Sequence, residues 1–250
     1  MPKRLPAELH CHTNHNEDIN VFFGPFADST QTAEEIIDQC LKKGIKILAV
    51  TDHDSLAGYY DAKAIIESRN LDIILIPGAE ISARGCHILA YNIKEIIPKK
   101  LSPLETINRI HEQGGLAFAA HPFMPPYFLG LKIFTLPFDG IEGLNASIPM
   151  LPNLLCSLAC FIFAKKYIST SDSHEPDSVG DGRTCFPSST KSKEEVLNHL
   201  KSGKFSIVFH HSSYTTMFYT RIVDAIKRWR RSNQATSPSF TFVRTPSTKA

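Results

Sequence analysis

Short apolar runs alternate along this chain with longer segments whose apolar positions recur every three or four residues. The runs predict strands over 7–10, 45–50, 73–77, 87–91, 116–120, 140–144, 167–170 and 206–209. The periodic segments predict helices over 32–43, 56–68, 103–113, 152–165, 193–202 and 219–231. Punctuation agrees with these bounds. Thr32 stands three residues before Glu35, a capping box, and glycines follow Lys43 and Gln113 where helices should stop. The runs IKILAV and LDIILI have no polar alternation beyond their first residues, which predicts burial on both faces in a parallel sheet wrapped by helices. Strand–helix alternation continues without a break in composition. One α/β domain over residues 1–231 is therefore expected, followed by a disordered, basic Ser/Thr/Pro-rich tail over 232–250.

Length and composition narrow this picture. A chain of 250 residues accommodates a single α/β barrel, and 42% hydrophobic with 21% charged residues excludes a disordered, collagen-like or coiled-coil protein. The net charge is +2, but Arg221–Ala250 carries seven basic residues and one acid, leaving −4 for the first 220. Six cysteines without a CxxC pair read as reduced, buried thiols, and the N-terminus lacks the apolar core of a signal peptide, so a cytoplasmic protein is expected. The apolar stretch 148–164 is 17 residues long and contains two prolines; a buried helix is expected there, not a membrane span.

The candidate chemistry gathers where predicted strands end. His10 and His12 close the first strand, and Asp52 and His53 follow the second. Glu80 follows the third, His87 opens the fourth, His121 follows LAFAA, and Asp172 and His174 follow YISTS. Side chains two apart on a strand share a face, so His10 pairs with His12 and Asp172 with His174. In an α/β barrel or open sheet the C-terminal strand ends meet at one rim. Imidazoles and carboxylates crowded there are costly unless divalent cations lie among them. Eight or nine such ligands exceed one tetrahedral ion and predict two or three. Any one of these motifs alone has a plain structural explanation as a turn or cap; their joint placement carries the inference. His15, His111, His199, His210 and His211 lack that context.

The segments ELHCHT, GIKILAVTDHDSLAG, IPGAEIS, HILAY, AAHP and STSDSH run in order from Glu8 to His174, about two-thirds of the chain. Together they resemble the PHP (polymerase and histidinol phosphatase) family of metal-dependent phosphoesterases. The resemblance implies a distorted (β/α)7 barrel with a trinuclear metal centre at the C-terminal rim. Its implied ligands are His10, His12, His53, Glu80, His87, His121, Asp172 and His174. Many members place an Asp five residues after the second histidine. Here that register holds Glu17, taken as the ninth ligand, with Asp18 as the alternative. Asp52 is expected to orient His53 or to reach a metal through water. Members that cleave nucleoside 3′,5′-bisphosphates carry a large covering insertion between HILAY and AAHP; only 33 residues separate His87 from His121 here. The stretch 122–137, with Phe123, Met124, Tyr127 and Phe128, either replaces part of that cover or packs against a helix.

The implied activity is hydrolysis of a phosphoric ester bond in a nucleotide, oligonucleotide or small phosphomonoester. Two or three Zn, Mn or Fe ions bridged by Glu80 would generate a hydroxide, with no side-chain nucleophile. Arg183 and Arg84 are candidate phosphate clamps, and a surface ion pair is the alternative for each. Two rivals stand beside this reading. One is a non-catalytic PHP-type module. The other is a nucleic-acid-binding accessory protein acting through Lys227, Arg228, Trp229, Arg230 and Arg231; a solvated helix end is the simpler account of that run.

Overall fold

A computed structural model describes residues 4–15, 19–21, 24–26 and 29–210. Glu17, Asp18, His211, the predicted helix 219–231 with its basic run, and the tail 232–250 lie outside the described residues. The strands are β1 (Arg4–Glu8), β2 (Ile19–Val21), β3 (Gly24–Phe26), β4 (Ile47–Val50), β5 (Ile74–Ala83), β6 (Cys86–Tyr91), β7 (Leu116–Ala119), β8 (Gly140–Asn145), β9 (Ile168–Thr170), β10 (Gly182–Pro187) and β11 (Ser206–Phe209). The helices are α1 (Ala33–Lys42), α2 (Ala57–Ser68), α3 (Pro103–Glu112), α4 (Met150–Ile162) and α5 (Lys193–Ser202). Thr32 and Glu35 form the reciprocal capping box at the start of α1.

Among the described residues nine strands form one sheet in the order β11-β10-β1-β4-β5-β6-β7-β8-β9, and β2 pairs with β3 separately. The sheet curls into a nearly closed, distorted α/β barrel. Its seam is made by side chains. Thr184 Oγ1 on β10 donates to Ser169 O on β9 at 3.0 Å and accepts from Ser169 N at 3.2 Å. Ser169 Oγ donates to Val208 O on β11 at 3.1 Å.

Strand alternation divides the apolar residues between two layers. Ile47, Ala49, Tyr91 and Phe118 point into the barrel, where Val196 and Leu200 of α5 pack among them. Leu48 and Val50 point outward to Ile36, Ile37 and Ala62 of α1 and α2. Ile88, Ala90, Ala117 and Ala119 face outward into the layer with Ile107 and Ile110 of α3 and Cys156 and Cys160 of α4.

The sheet is not parallel throughout. β1, β4 and β5 are parallel, as are β7, β8 and β9, but β6 runs against both neighbours and β10 against β1 and β11. The turn Arg84-Gly85 explains β6, because two residues make a hairpin and cannot hold a crossover helix. β10, with the sequence GRTCFP, was not among the predicted strands; its short apolar content is bracketed by Gly, Arg and Pro.

Helix α4 corrects an expectation. It forms over Met150–Ile162, but only Asn153, Cys156, Ala159 and Cys160 are buried, and its large apolar side chains face outward. Apolar content marked a helix here without saying which face packs. Among the described residues no helix is long and apolar enough to cross a membrane. All six cysteines are buried and unpaired.

Candidate metal centre

Extended chain continuing beyond β1 carries His10 and His12 to the rim, held by pairing of Cys11 with Ser173. His53 follows β4 and pairs with Glu80, which lies within the long β5. His87 lies on β6, His121 follows β7, and Asp172 and His174 follow β9. Two of these positions have strained backbones: φ is 27° at His121 and 50° at Asp172, values that side chains other than Gly rarely adopt. His121 N donates to Glu142 Oε2 at 2.5 Å, which holds one of them in place.

The structure brings together all eight described residues that the sequence singled out. His10 Nε2 lies 3.0 Å from His12 Nε2, 2.9 Å from Glu80 Oε2 and 3.3 Å from Asp172 Oδ1. His12 Nε2 is 3.2 Å from Glu80 Oε2 and 3.1 Å from Asp172 Oδ1. Glu80 then turns its other oxygen, Oε1, to His87 Nδ1 and His121 Nε2, each at 3.0 Å. His53 Nδ1 stands 3.6 Å from Glu80 Oε2. The His174 ring stacks on His12 with centroids 4.5 Å apart. Thus His10, His12, Glu80 and Asp172 form one group that could hold an ion, and His53, Glu80 and His87 a second, with Glu80 common to both.

The donor set fits divalent metals. The His10–His12–Glu80–Asp172 spacings approach the edge of about 3.4 Å expected for a tetrahedron of ligands about 2.1 Å from an ion. His87 Nδ1 makes no hydrogen bond although a carboxylate oxygen is 3.0 Å away, and His12 Nδ1 and His121 Nδ1 are buried without hydrogen-bond partners. Nitrogens brought this close to one another and to carboxylates, without hydrogen bonds enough to satisfy them, are arranged for a cation.

A surrounding layer fixes the ligands, and two of its members escaped the sequence reading. Glu142 on β8 is buried and accepts from His10 Nδ1 at 2.7 Å, from Asn145 Nδ2 at 3.2 Å and from Thr170 Oγ1. Asn145 Nδ2 also donates to Asp172 Oδ2 at 2.9 Å, leaving Oδ1 toward the centre. The signal was a carboxylate inside the strand GIEGLN, a position where an unpaired charge would be prohibitive. Asp52 is buried and grips the segment that follows His12. Its oxygens accept from Thr13 N at 2.5 Å, Thr13 Oγ1 at 2.7 Å and Gly58 N at 3.1 Å. It therefore ties the chain after His12 to the start of α2.

Residues 163–205 match the PHP-associated family model. An uncharacterised protein of Methanocaldococcus jannaschii is 38% identical over 143 residues, covering 57% of this chain and 82% of that protein. In three dimensions the chain is similar to a two-domain Bacteroides vulgatus protein containing a predicted PHP-like metal-dependent phosphoesterase. The TM-score is 0.65 at 18% identity, over 83% of this chain and 65% of that one. The chain belongs to the PHP family. A 5′-3′ exoribonuclease of Haemophilus influenzae is also similar, 29% identical over 110 residues; the match spans 42% of this chain and 35% of that enzyme.

Charge in this PHP protein is set by the cluster. Burial opposes protonation of His10, yet Asp172, Glu80 and Glu142 outweigh it and hold the imidazole well above its ordinary value. Burial likewise opposes His12, but hydrogen bonds to Asp172 and Glu80 raise it to about 10. Burial works against ionisation of Glu80, which His53, His10 and His87 nevertheless hold well below the carboxylate range. Asp172 is lowered in the same way, by His10, His12 and His174 against its burial. Without a metal, the PHP site stores protons that a cation must displace.

The candidate clamps sit apart from these contacts. Arg183 Nε donates to Gly180 O in its own turn. Arg84 is exposed at the β5–β6 turn, and its backbone N donates to Leu101 O at 2.8 Å. Tyr127, by contrast, stacks on His87 with ring centroids 4.0 Å apart.

Proposed function

We propose that this protein is a hydrolase that cleaves a phosphate ester of a nucleotide, oligonucleotide or small phosphomonoester at the rim cluster. The carrying observation is that Glu80 turns one oxygen to His10 and His12 and the other to His87 and His121, so one carboxylate is shared between two ligand groups. Divalent ions, when bound, supply Lewis acidity and water activation there. His10, His12, His53, Glu80, His87, His121, Asp172 and His174 would hold them, with Glu17 or Asp18 as a further ligand.

The chain's own residues prepare the site. Glu142 accepts a hydrogen bond from His10 Nδ1, which leaves the Nε2 lone pair for the centre. Asp172 O accepts from His174 Nδ1 at 2.8 Å, which fixes that ring's tautomer likewise. Asn145 holds one oxygen of Asp172 and aims the other. Tyr127 covers His87 on one side and offers aromatic surface at the edge of the cluster, suited to a base or another planar group. The exoribonuclease relative favours nucleic-acid or nucleotide substrates. Arg183 would reach a phosphate only by releasing Gly180 O, and Arg84 stays a candidate from the exposed β5–β6 turn.

The test is a panel of phosphomonoesters, nucleotides and short oligonucleotides, run with Mn, Zn or Fe supplied. Turnover by the wild type, lost in His53→Ala and Asp172→Ala while both variants stay folded, is expected. No turnover of any ester by metal-loaded protein would favour a non-catalytic PHP module.

A further inference from the structure

Helix α4 is built the wrong way round for a helix that serves only its own domain. At about 100° per residue, Met150, Leu151, Leu154, Leu155, Leu158, Phe161 and Ile162 fall within an arc of about 140°. All of them are exposed, from 43% at Met150 to 83% at Phe161. The opposite arc, which faces the barrel, holds the smaller or polar Asn153, Cys156, Ala159 and Cys160. Asn153 is used there, exchanging hydrogen bonds with the backbone of Asn145 at 2.8 and 2.9 Å. The domain is thus packed with the small residues while the large ones point away. Just past the helix, Phe163 stacks on Phe134 with ring centroids 4.2 Å apart.

We infer that this face is the two-fold interface of a homodimer. Area supports it first. Taking about 200 Å² for a large apolar side chain, the exposed fractions of these seven residues add up to roughly 800 Å². That matches the approximately 800 Å² per partner of a standard interface. It exceeds the roughly 300–600 Å² of the largest apolar patch on an ordinary monomer. Charge supports it second. Ile148–Ala164 contains no Asp, Glu, Lys or Arg, so a second copy laid against it meets no like charge and leaves no ion buried. A surface with nothing but apolar shape to offer suits a homodimer, the most apolar class of interface, closed by the commonest symmetry.

In a two-fold contact the residue on the axis meets its own copy. Leu158 lies nearest the middle of the stripe and is that residue. The full chain is therefore expected to sediment as a dimer at micromolar concentration. Leu154→Glu and Leu158→Glu should each shift it to a monomer with an unchanged circular dichroism spectrum. Leu158→Cys should form a disulfide-linked dimer under mild oxidation, whereas the wild type, with every cysteine buried, should not. A monomeric wild type overturns the inference, including the cases where residues 211–250 or phosphatidylcholine/phosphatidylglycerol vesicles prove to cover the face. A dimer indifferent to both Glu substitutions overturns it as well.

Discussion

His10 Nδ1 and Glu142 Oε1 lie 2.7 Å apart, and both side chains are fully buried. The same carboxylate accepts from the backbone N of His121, so one acid fixes two of the groups that surround Glu80. Replacing it tests whether the layer behind the ligands controls them. Glu142→Gln should weaken metal retention about 10–100-fold, measured by competition with a chromogenic chelator. Retention equal to wild type would confine Glu142 to a packing role.

Proton linkage gives a second prediction. His10, His12 and His121 have raised values in the folded, metal-free protein. Their stabilising contribution is complete below the unfolded histidine value of about 6.5 and is lost as pH rises, reaching about 10 for His12. Glu80 and Asp172 have the opposite sign: their contribution is present above the ordinary carboxylate range and fades as acid protonates them. The chelated protein should therefore melt at a lower temperature at pH 9 than at pH 6. Adding metal in weak buffer at neutral pH should release protons. A metal-free melting temperature that climbs from pH 6 to pH 9 would contradict the assigned signs.

Tyr127 separates ring recognition from chemistry. If its stack on His87 extends to a substrate base, Tyr127→Ala should raise KM for nucleotides about tenfold. It should leave glycerol phosphate hydrolysis nearly unchanged, and Tyr127→Phe should restore the nucleotide KM. Equal losses on both substrates would mean that the ring only supports His87.

Gly58 tests the tie between the HxH segment and α2. A methyl group there would collide with Asp52 Oδ2 and come within 2.8 Å of the Thr13 side chain. Gly58→Ala should cost about 1–3 kcal/mol in urea unfolding and weaken metal retention through Thr13. An unaffected midpoint would show that Asp52 can swing aside.

Much of this centre was legible because strand ends are easy to find in sequence and ligand chemistry is distinctive. The paired His10 and His12 needed only the two-residue period of an extended chain, whereas Asp172, at φ 50°, reaches the centre through a turn after β9. What escaped was long-range and buried. Glu142 looked like one acid in an apolar strand, and its importance exists only once β8 is beside His10 and His121. Asp52 was visible, but its partners Thr13 and Gly58 depend on how the chain turns after His12. The outward leucines of α4 read as core because hydropathy counts residues without recording which direction they face.

A pocket for more than one cation, with Glu80 shared across it, is what the proposed hydrolysis requires. Metal content of the purified, reloaded protein, measured by plasma mass spectrometry after removal of free ions, tests this most directly. At least about two equivalents of divalent metal per chain are expected, falling most sharply in Glu80→Gln among folded variants. Retention of one equivalent or none by the wild type, or a Glu80→Gln variant that keeps its full complement, would contradict it.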